Sequence, residues 1–571
     1  LLLSKTLTEW LTHSKNPFAY LPVCSDDTVA KSEDAISLSI SELSFPSTTN
    51  IDEIIKFIEA PGRKVIFSTY QSSEKIAEAF KKQKKKKDLN PIDLIIADEA
   101  HRCAGKSDSA YSTVLDNQKI PAEKRLFMTA TSRIFPLAIK KRAADSGIGM
   151  VSMDDTNIFG PVLHKLSFGE AIQPLDGSEP LLTDYQVVVV GIDNPRYSGM
   201  ITDRTLVKTK NNISSDAQSF ASHIGLAKAI ATYKLKRIIT FHSRVDAASD
   251  FANKLPEVIN WMPKKTRPSG ELITNYVSGA MPTNQRNRNL KLFDDVKENQ
   301  RYVLSNARCL SEGVDVPALD GVAFIDPRNS EIDIVQAVGR AIRLSKGKAI
   351  GLIVIPVFIE DHEDPDEILN SSPFKTIWSV VNALRAHDDG LGETLDQLRL
   401  ELGKRGTVGR SDKIIFDLPI TITHEFEKAL DTKLIESTSA SWEMWFGALE
   451  AYKAEVGHCN VHAKYKTNSG LALGKWVSTQ RKSKANNQAE LTPERIKRLE
   501  ALGFIWDPIE LKWQQNFDAL EAYKAEVGHC NVPARYKTNS GLALGQWVST
   551  QRKSKANNQA ELTPERIKRL E

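Results

Sequence analysis

Two adjacent carboxylates, Asp98 and Glu99, follow directly on the apolar run Leu94-Ile95-Ile96-Ala97. An uninterrupted apolar run of this length reads as a buried parallel strand. In an open α/β sheet, ligands bind where such strands end. At that edge Asp98, with Glu99 as a neighbouring donor, could hold Mg2+ through oxygen, the atom that hard cations prefer. Glu99 could also orient or polarise a water for attack on a phosphoryl group. An acidic strand end can arise by chance, so the chemistry depends on what else the chain supplies. Downstream stand Thr129-Ala130-Thr131, at the end of the strand-like stretch Lys124–Met128, and then Gln336-Ala337-Val338-Gly339-Arg340-Ala341-Ile342-Arg343. If the last stretch is a helix, Gln336, Gly339, Arg340 and Arg343 fall at i, i+3, i+4 and i+7 and share one face. Arginine offers a fixed, planar, permanent charge for a phosphoryl transition state. Two arginines on one helix face are otherwise surface ion-pair formers.

The order and spacing of these stretches resemble motifs II, III and VI of the superfamily 2 DEAD/DEAH-box helicases and translocases, in the DEAHR form found in restriction motors. The resemblance covers about the first two-thirds of the chain. It implies an α/β fold of two RecA-like parallel-sheet lobes, with ATP and Mg2+ between them and nucleic acid as the track, DNA ahead of RNA. It further implies that Asp98 holds the metal and Glu99 activates water. His101, Gln336, Arg340 and Arg343 complete the catalytic set, the arginines acting from the opposite lobe. Thr129 and Thr131 would couple nucleotide state to the grip on nucleic acid. Gly313-Val314-Asp315 resembles the end of motif V, where Gly313 lets backbone approach the nucleotide and Asp315 bonds its ribose. Ser68 and Thr69, near the end of the strand-like stretch Lys64–Gln71, stand where the family contacts the nucleic-acid backbone; the alternative for hydroxyls in this region is helix capping, by Ser72 or Ser73. His242-Ser243-Arg244 resembles motif IV and is a second candidate for nucleic-acid contact.

With 571 residues the chain is too long for one core, and three to four domains are expected. Net charge is +4, from 76 basic against 72 acidic residues, so a nucleic-acid surface has to be local. The five cysteines, Cys24, Cys103, Cys309, Cys459 and Cys530, form no CxxC pair, which argues against a disulfide framework or a zinc ribbon. No run of 18 apolar residues is present and the first residues carry no basic n-region, so neither a membrane span nor a signal peptide is read, and the expected location is cytoplasmic. The sequence contains no G-x-x-x-x-G-K-[ST] stretch. Gly105-Lys106-Ser107 is a decoy, because Ala100 stands five residues before Gly105. Leu1–Trp10 reads as a strand end followed by a helix capped at Ser4, resembling motif Ia. The expectation is a first lobe lacking its first strand and P-loop; a degenerate motor is the alternative.

The expected organisation is a first lobe over 1–168, a crossover linker over 169–215 containing one strand at Tyr185–Val190, and a second lobe over 216–387. A charged linker over 388–438 follows, then two repeats at 439–508 and 509–571. Six lysines in the seven positions Lys81–Lys87 read as a solvated helix end, or as a phosphate-contacting patch. The stretch Glu450–Glu500 recurs as Glu521–Glu571, differing only at His462/Pro533, Lys464/Arg535 and Lys475/Gln546. Each copy reads as three helices, the last with Thr-Pro at its start. The copies resemble the helicase-associated domains found in tandem after bacterial motors. The second copy stops where the first continues Ala501–Trp506, so a missing C-terminal end is expected too. Residues 439–571 hold 20 basic against 14 acidic residues, +6 by difference, leaving −2 for the rest. Basic charge with interleaved tryptophan suits nucleic-acid contact. Arg481 and Lys482, with Arg552 and Lys553 in the second copy, are the candidates, against a reading in which they form a solvated face.

Three functions remain open on these grounds. One is an ATP-dependent nucleic-acid motor. Another is the motor of a restriction system, with a partner subunit supplying the nuclease. The third is a non-catalytic nucleic-acid binder with a degenerate motor.

Overall fold

A computed structural model of the chain describes residues 2–24, 47–83, 89–107, 109–193, 210–307, 310, 319–326, 330–359, 365–406, 409–419, 422–438, 441–468, 470–488, 491–557 and 562–571. The chain divides into two compact units, Leu1–Leu395 with Gly409–Ser439, and Asp396–Val408 with Ala440–Glu571.

The first unit contains both expected α/β lobes. Its N-terminal part has strands β1 (Ala19–Val23), β2 (Lys64–Ser68), β3 (Ile92–Ala97), β4 (Gly105–Lys106), β5 (Ala122–Phe127) and β6 (Met150–Val151). β1 pairs parallel with β2, and β3 parallel with β5. The helices Ile51–Glu59 and Ser73–Gln83 bury Ile54, Ile55, Ile76 and Phe80 with Cys103 and Val114 in one apolar cluster. β3 departs from the fully buried strand expected of it. Ile95 joins that cluster and Ala97 is buried, whereas Leu94 and Ile96, on the other face, are 47% and 41% exposed. Alternate side chains point to opposite faces, and only one face of this strand is covered by described residues. The opening segment also differs: it is a helix from Leu2 to His13, so Ser4 lies within it and not at its cap. Leu7 is buried, and Trp10 packs edge-on against Phe67 of β2.

The C-terminal part of this unit is one parallel sheet of seven strands. They are β7 (Asp184–Asp193), β8 (Arg237–His242), β9 (Glu271–Ser278), β10 (Gln300–Ala307), β11 (Gly321–Asp326), β12 (Ile350–Ile359) and β13 (Ile414–Asp417). Their order is β13-β7-β12-β11-β8-β10-β9. The interior strands are Val- and Ile-rich because both faces are covered, as in β12, where every residue after Ile350 is buried.

Two segments read as linkers belong to this sheet. β7, taken as an isolated strand in a crossover, runs beside β12 over its whole length, from Ile350↔Asp184 to Ile359↔Asp193. Within 388–438, β13 pairs with β7, flanked by the helices Asp389–Arg405 and His424–Thr438. The polar composition that suggested a linker comes from outward-facing residues, while Phe426, Leu430, Leu434 and Ile435 are buried.

A buried carboxylate fastens the two segments together. Tyr185 Oη donates to Asp388 Oδ2 at 2.7 Å, Lys413 Nζ donates to the same oxygen at 3.0 Å, and the Leu391 N–H donates to Oδ1 at 3.1 Å. Burial alone pushes the Asp388 pKa up, but these three donors outweigh it and hold the carboxyl below the usual range.

In the second unit each repeat forms three helices: Ser441–Val456, Leu473–Ala485 and Pro493–Ala501, then Pro508–Val527, Leu544–Ala556 and Pro564–Leu570. Trp442 and Trp513 are core residues whose indole N–H groups donate to Gln480 and Gln551, each at 3.2 Å. Thr492 and Thr563 cap the third helices, with proline in the first turn. Arg498 lies over the Trp442 and Phe446 rings and forks onto Glu443 at 2.8 and 2.7 Å. In the second copy Arg569 keeps the rings of Trp513 and Phe517 but meets Gln514 in place of the carboxylate. Gly403 and Gly447 let the helix Asp389–Arg405 approach Ser441–Val456 closely. A Cβ on Gly403 would stand 2.0 Å from Met444 O, and one on Gly447 would stand 2.1 Å from Leu400 O.

Asp388→Ala should destabilise the first unit by about 3 kcal/mol in denaturant unfolding, since it leaves the Tyr185 hydroxyl and Lys413 without their acceptor. Because the native pKa of Asp388 is depressed, its contribution is complete above the unfolded carboxyl pKa near about 4. It is lost as pH falls through the lower native value. Unfolding curves of wild type and variant should therefore converge in strong acid.

Candidate active site

The site is built where β3 and β5 end. Their parallel register runs from Ile92↔Ala122 to Ala97↔Phe127. Past the strands the ladder continues, with Met128 N donating to Ala97 O and Ala100 N to Met128 O, both at 2.9 Å. This holds the Asp98-Glu99 turn beside Thr129. Glu99 adopts a left-handed backbone, φ 51° and ψ 44°, before the short 3-10 turn Ala100–Cys103. Such a conformation in a non-glycine residue stores strain and is enriched at functional sites.

Asp98 is exposed at the strand end, and its Oδ1 accepts the Glu99 N–H at 2.9 Å. Tyr70, one residue beyond Thr69, donates its hydroxyl to Asp98 O at 2.6 Å. His101 is buried, with Nδ1 3.0 Å from Thr129 Oγ1 and 3.4 Å from Glu99 Oε2. Thr129 Oγ1 in turn donates to Thr131 O at 2.9 Å. Burial pushes the Glu99 pKa up, with Asp98 adding to the rise and His101, Arg102 and Arg340 opposing it. Burial likewise pushes His101 down, against the pull of Glu99 and Asp333, which favours a neutral imidazole.

Arg340 and Asp333 come from the seven-stranded lobe, on the helix Glu331–Ala341. The Ser330 hydroxyl caps that helix, accepting from Asp333 N at 3.4 Å. Gln336 presents an amide whose nitrogen and oxygen are both buried without a hydrogen-bond partner among the described residues. Arg340 is buried, and its charge is felt at Glu99. Motif II and the arginine helix thus meet within one compact unit.

Arg343 does not share that face. The helix ends at Ala341, Ile342 is its C-cap, and Arg343 pairs with Leu182 as an exposed bridge residue. The helix stops because its last carbonyls are bonded elsewhere. Lys348 Nζ donates to Ala341 O, and to Arg343 O at 3.2 Å, while the Thr183 N–H donates to Ile342 O at 2.8 Å. A cation at a helix C-terminus is favourable. Burial there pulls the Lys348 pKa down to about 8. Gly351 completes the clamp, since a Cβ would stand 2.3 Å from Ala341 O.

The other expected contacts divide. Gly313 and Asp315 lie outside the described residues. Ser68 Oγ donates to Thr69 O at 2.9 Å, and Thr69 Oγ1 accepts from Ser72 N at 3.3 Å, so both hydroxyls make local bonds at the end of β2. His242 is a core residue and not a surface contact: it packs on Phe251, lies 2.9 Å from Thr240 Oγ1, and burial lowers its pKa to about 3. Ser243 donates to Asp326, and Arg244 is exposed, 3.8 Å from Asp246. Arg481 is a packing residue: its Nε donates to Ile505 O at 2.8 Å and its guanidinium lies over Phe504. Lys482, Arg552 and Lys553 are exposed. Tyr70, Thr183 and Lys348 escaped the sequence reading. Only Tyr70, adjoining Ser68-Thr69, carried any signal.

As a donor set for Mg2+, two adjacent carboxylates with no third acidic ligand fit an ion that keeps several waters and is completed by substrate phosphates. Among the described residues no group of three or more His, Cys, Asp or Glu forms an all-protein cage.

Comparison with known proteins agrees with this geometry. Residues 20–134 match the Type III restriction enzyme res subunit family, residues 225–345 the helicase conserved C-terminal domain, and residues 439–507 and 510–571 the helicase associated domain. The chain belongs to the superfamily 2 helicases, with a stretch similar to the restriction res subunit ahead of the helicase C-terminal domain and two helicase-associated domains after it. The chain is 24% identical over 475 residues to a protein named "Probable helicase" of African swine fever virus, covering 80% of the chain and 47% of the viral protein. It therefore spans about half the length of the curated relatives it matches. Among solved structures it resembles the ATP-dependent Type ISP restriction-modification enzyme LlaBIII bound to DNA, at 25% identity and TM-score 0.60, covering 100% of this chain and 36% of that one. No helix among the described residues is long and apolar enough to cross a membrane.

Arg481→Ala should lower the stability of the second unit by about 1–2 kcal/mol, since Ile505 O loses its donor and Phe504 its cover. Thermal melting of that variant beside Lys482→Ala, which should melt like wild type, checks the division between packing and surface roles.

Proposed function

We propose that the protein is an ATP-dependent nucleic-acid translocase or helicase acting on DNA in preference to RNA. The observation that carries this is that the charge of the buried Arg340, from the other lobe, acts on the half-buried Glu99. A carboxylate whose pKa burial raises, and a permanent cation whose charge reaches it, suit water activation and stabilisation of charge on a transferred phosphoryl group. Asp98 is the residue that would hold Mg2+, which when bound supplies positive charge to the nucleotide phosphates. The buried amide of Gln336, open in both its donor and acceptor, suits contact with a phosphate oxygen or a positioned water. His101, bonded to Thr129, ties the Asp98-Glu99 turn to the loop after β5, a route by which nucleotide state reaches the rest of the lobe.

A restriction-system motor is the more specific form of this reading. It is supported by the match of residues 20–134 and by likeness to a DNA-bound restriction-modification enzyme along the whole chain. A partner subunit or further domain would then carry the nuclease.

The test is ATP turnover with single-stranded DNA, duplex DNA, RNA or no polymer. It is run on this chain and on the longest protein its reading frame encodes. Without a G-x-x-x-x-G-K-[ST] stretch the chain alone should turn over slowly; brisk turnover by pure chain would contradict that. In the longer protein DNA should stimulate turnover strongly, and Glu99→Gln should abolish the stimulation. Arg340→Ala should lower kcat by about 10³-fold. Arg343→Ala, removing an exposed side chain off the helix face, should have an effect at least about tenfold smaller. Equal losses for the two arginines would contradict the geometry, and no turnover with any polymer would contradict the motor.

A further inference from the structure

The helicase-associated repeats segregate their charge. From Val456 to Ala489 there is no acidic residue and there are six basic ones; from Val527 to Ala560 there is again no acid and there are five bases. Most acids of each copy lie on its first and third helices, where several are paired, as Glu443 with Arg498 and Glu500 with Lys484. The acid-free stretch is a loop followed by the second helix, and the two are locked together. Gly474 N donates to Tyr465 O at 3.1 Å, and a Cβ on Gly474 would stand 2.0 Å from His462 O. Gly545 repeats the arrangement, with its N–H on Tyr536 O at 3.1 Å and 1.9 Å from a Cβ to Pro533 O. The loop is further fixed by Thr467 N donating to Leu471 O and Leu471 N donating to Thr467 Oγ1.

On this fixed frame Lys464 and Lys466 are exposed on the loop, and Lys475 and Lys482 are exposed on the helix. Lys475, Thr479, Lys482 and Asn486 recur at i, i+4, i+7 and i+11, which is one helix face. All four are exposed, and none is used by the core. Arg481, on the other side, is committed to Ile505 O.

We propose that the loop and second helix of each repeat form a phosphate-backbone contact surface for nucleic acid, carried in the first copy by Lys464, Lys466, Lys475 and Lys482. This rests on the motor reading above and adds where the track is held outside the lobes. Lysine is a point charge with no fixed fork, and nothing on this face is shaped to read a base. The contact is therefore sequence-independent and salt-dependent. Lys475 is replaced by Gln546 in the second copy, so the first copy carries the larger share. Two copies on one chain engage one polymer bivalently.

The experiment is binding of the full chain to a labelled 30-mer duplex and a 30-mer single strand, titrated at several salt concentrations. Replacing the four lysines by alanine should lower the slope of log affinity against log salt by about 3–4 and weaken binding at least tenfold. A control with Lys497→Ala and Lys568→Ala, exposed lysines on the third helices, should keep a slope within about one of wild type. Circular dichroism and melting should show both variants folded. If wild type binds and the four-lysine variant matches the control, the surface is overturned while the motor reading stands. If wild type binds neither polymer at low salt, both are overturned. Vesicles containing a third phosphatidylserine serve as a second polyanion; binding them as tightly as the duplex would overturn nucleic acid as the partner of this face.

Discussion

Two charges that water would ordinarily solvate are drawn out of it where the lobes meet: the half-buried carboxylate of Glu99 and the buried guanidinium of Arg340. Removing ions from water is expensive unless they face opposite charge or bond donors. Much of the surrounding architecture can be understood as holding these groups where they are. β3 and β5 fix the turn that carries Glu99, and the left-handed backbone at Glu99 aims its side chain. On the other side, a helix capped at Ser330 and clamped at its C-terminus by Lys348 and Thr183 delivers Arg340. The electrostatics at Glu99 are thereby shaped by residues more than two hundred positions away.

The clamp shows how a catalytic face is limited by backbone bonding. An unbroken helix through Arg343 would have placed two guanidinium groups together. Three successive carbonyls, of Ala341, Ile342 and Arg343, are satisfied from outside the helix instead, and the chain leaves the helical path after one arginine. The division of labour between Arg340 and Arg343 is therefore set by Lys348, Thr183 and the absence of a Cβ at Gly351, none of which touches the site.

What the sequence made legible follows from range. Local signals were sufficient for the strand before Asp98, for the helix bearing Gln336 and Arg340, and for the three helices of each repeat with their Thr-Pro starts. They failed where a residue's surroundings come from far along the chain. His242 resembled a surface contact because polar residues follow it, yet Phe251 and Thr240 enclose it. Arg481 looked like its neighbour Lys482 until Ile505 and Phe504 were seen beside it. The stretch 388–438 read as polar filler because its apolar positions are spaced for helices that pack, and a four-residue strand is too short to leave a periodic signature.

The position of β7 has a consequence for how such motors can be taken apart. The second lobe takes up a longer stretch of chain than composition suggests. Its sheet begins with a strand lying between the lobes in sequence and ends with one that comes after the helix Ser372–His387, the two being neighbours at one edge. Dissecting the chain at the boundaries that composition suggests would strip two of seven strands from that edge. Left behind would be the open flank of β12, a long run of Ile, Val and Phe with its hydrogen-bonding groups bare, the kind of edge that invites aggregation. A soluble second lobe has to be excised from about residue 181 to beyond residue 417, and recombination between related motors would be expected to respect the same seams.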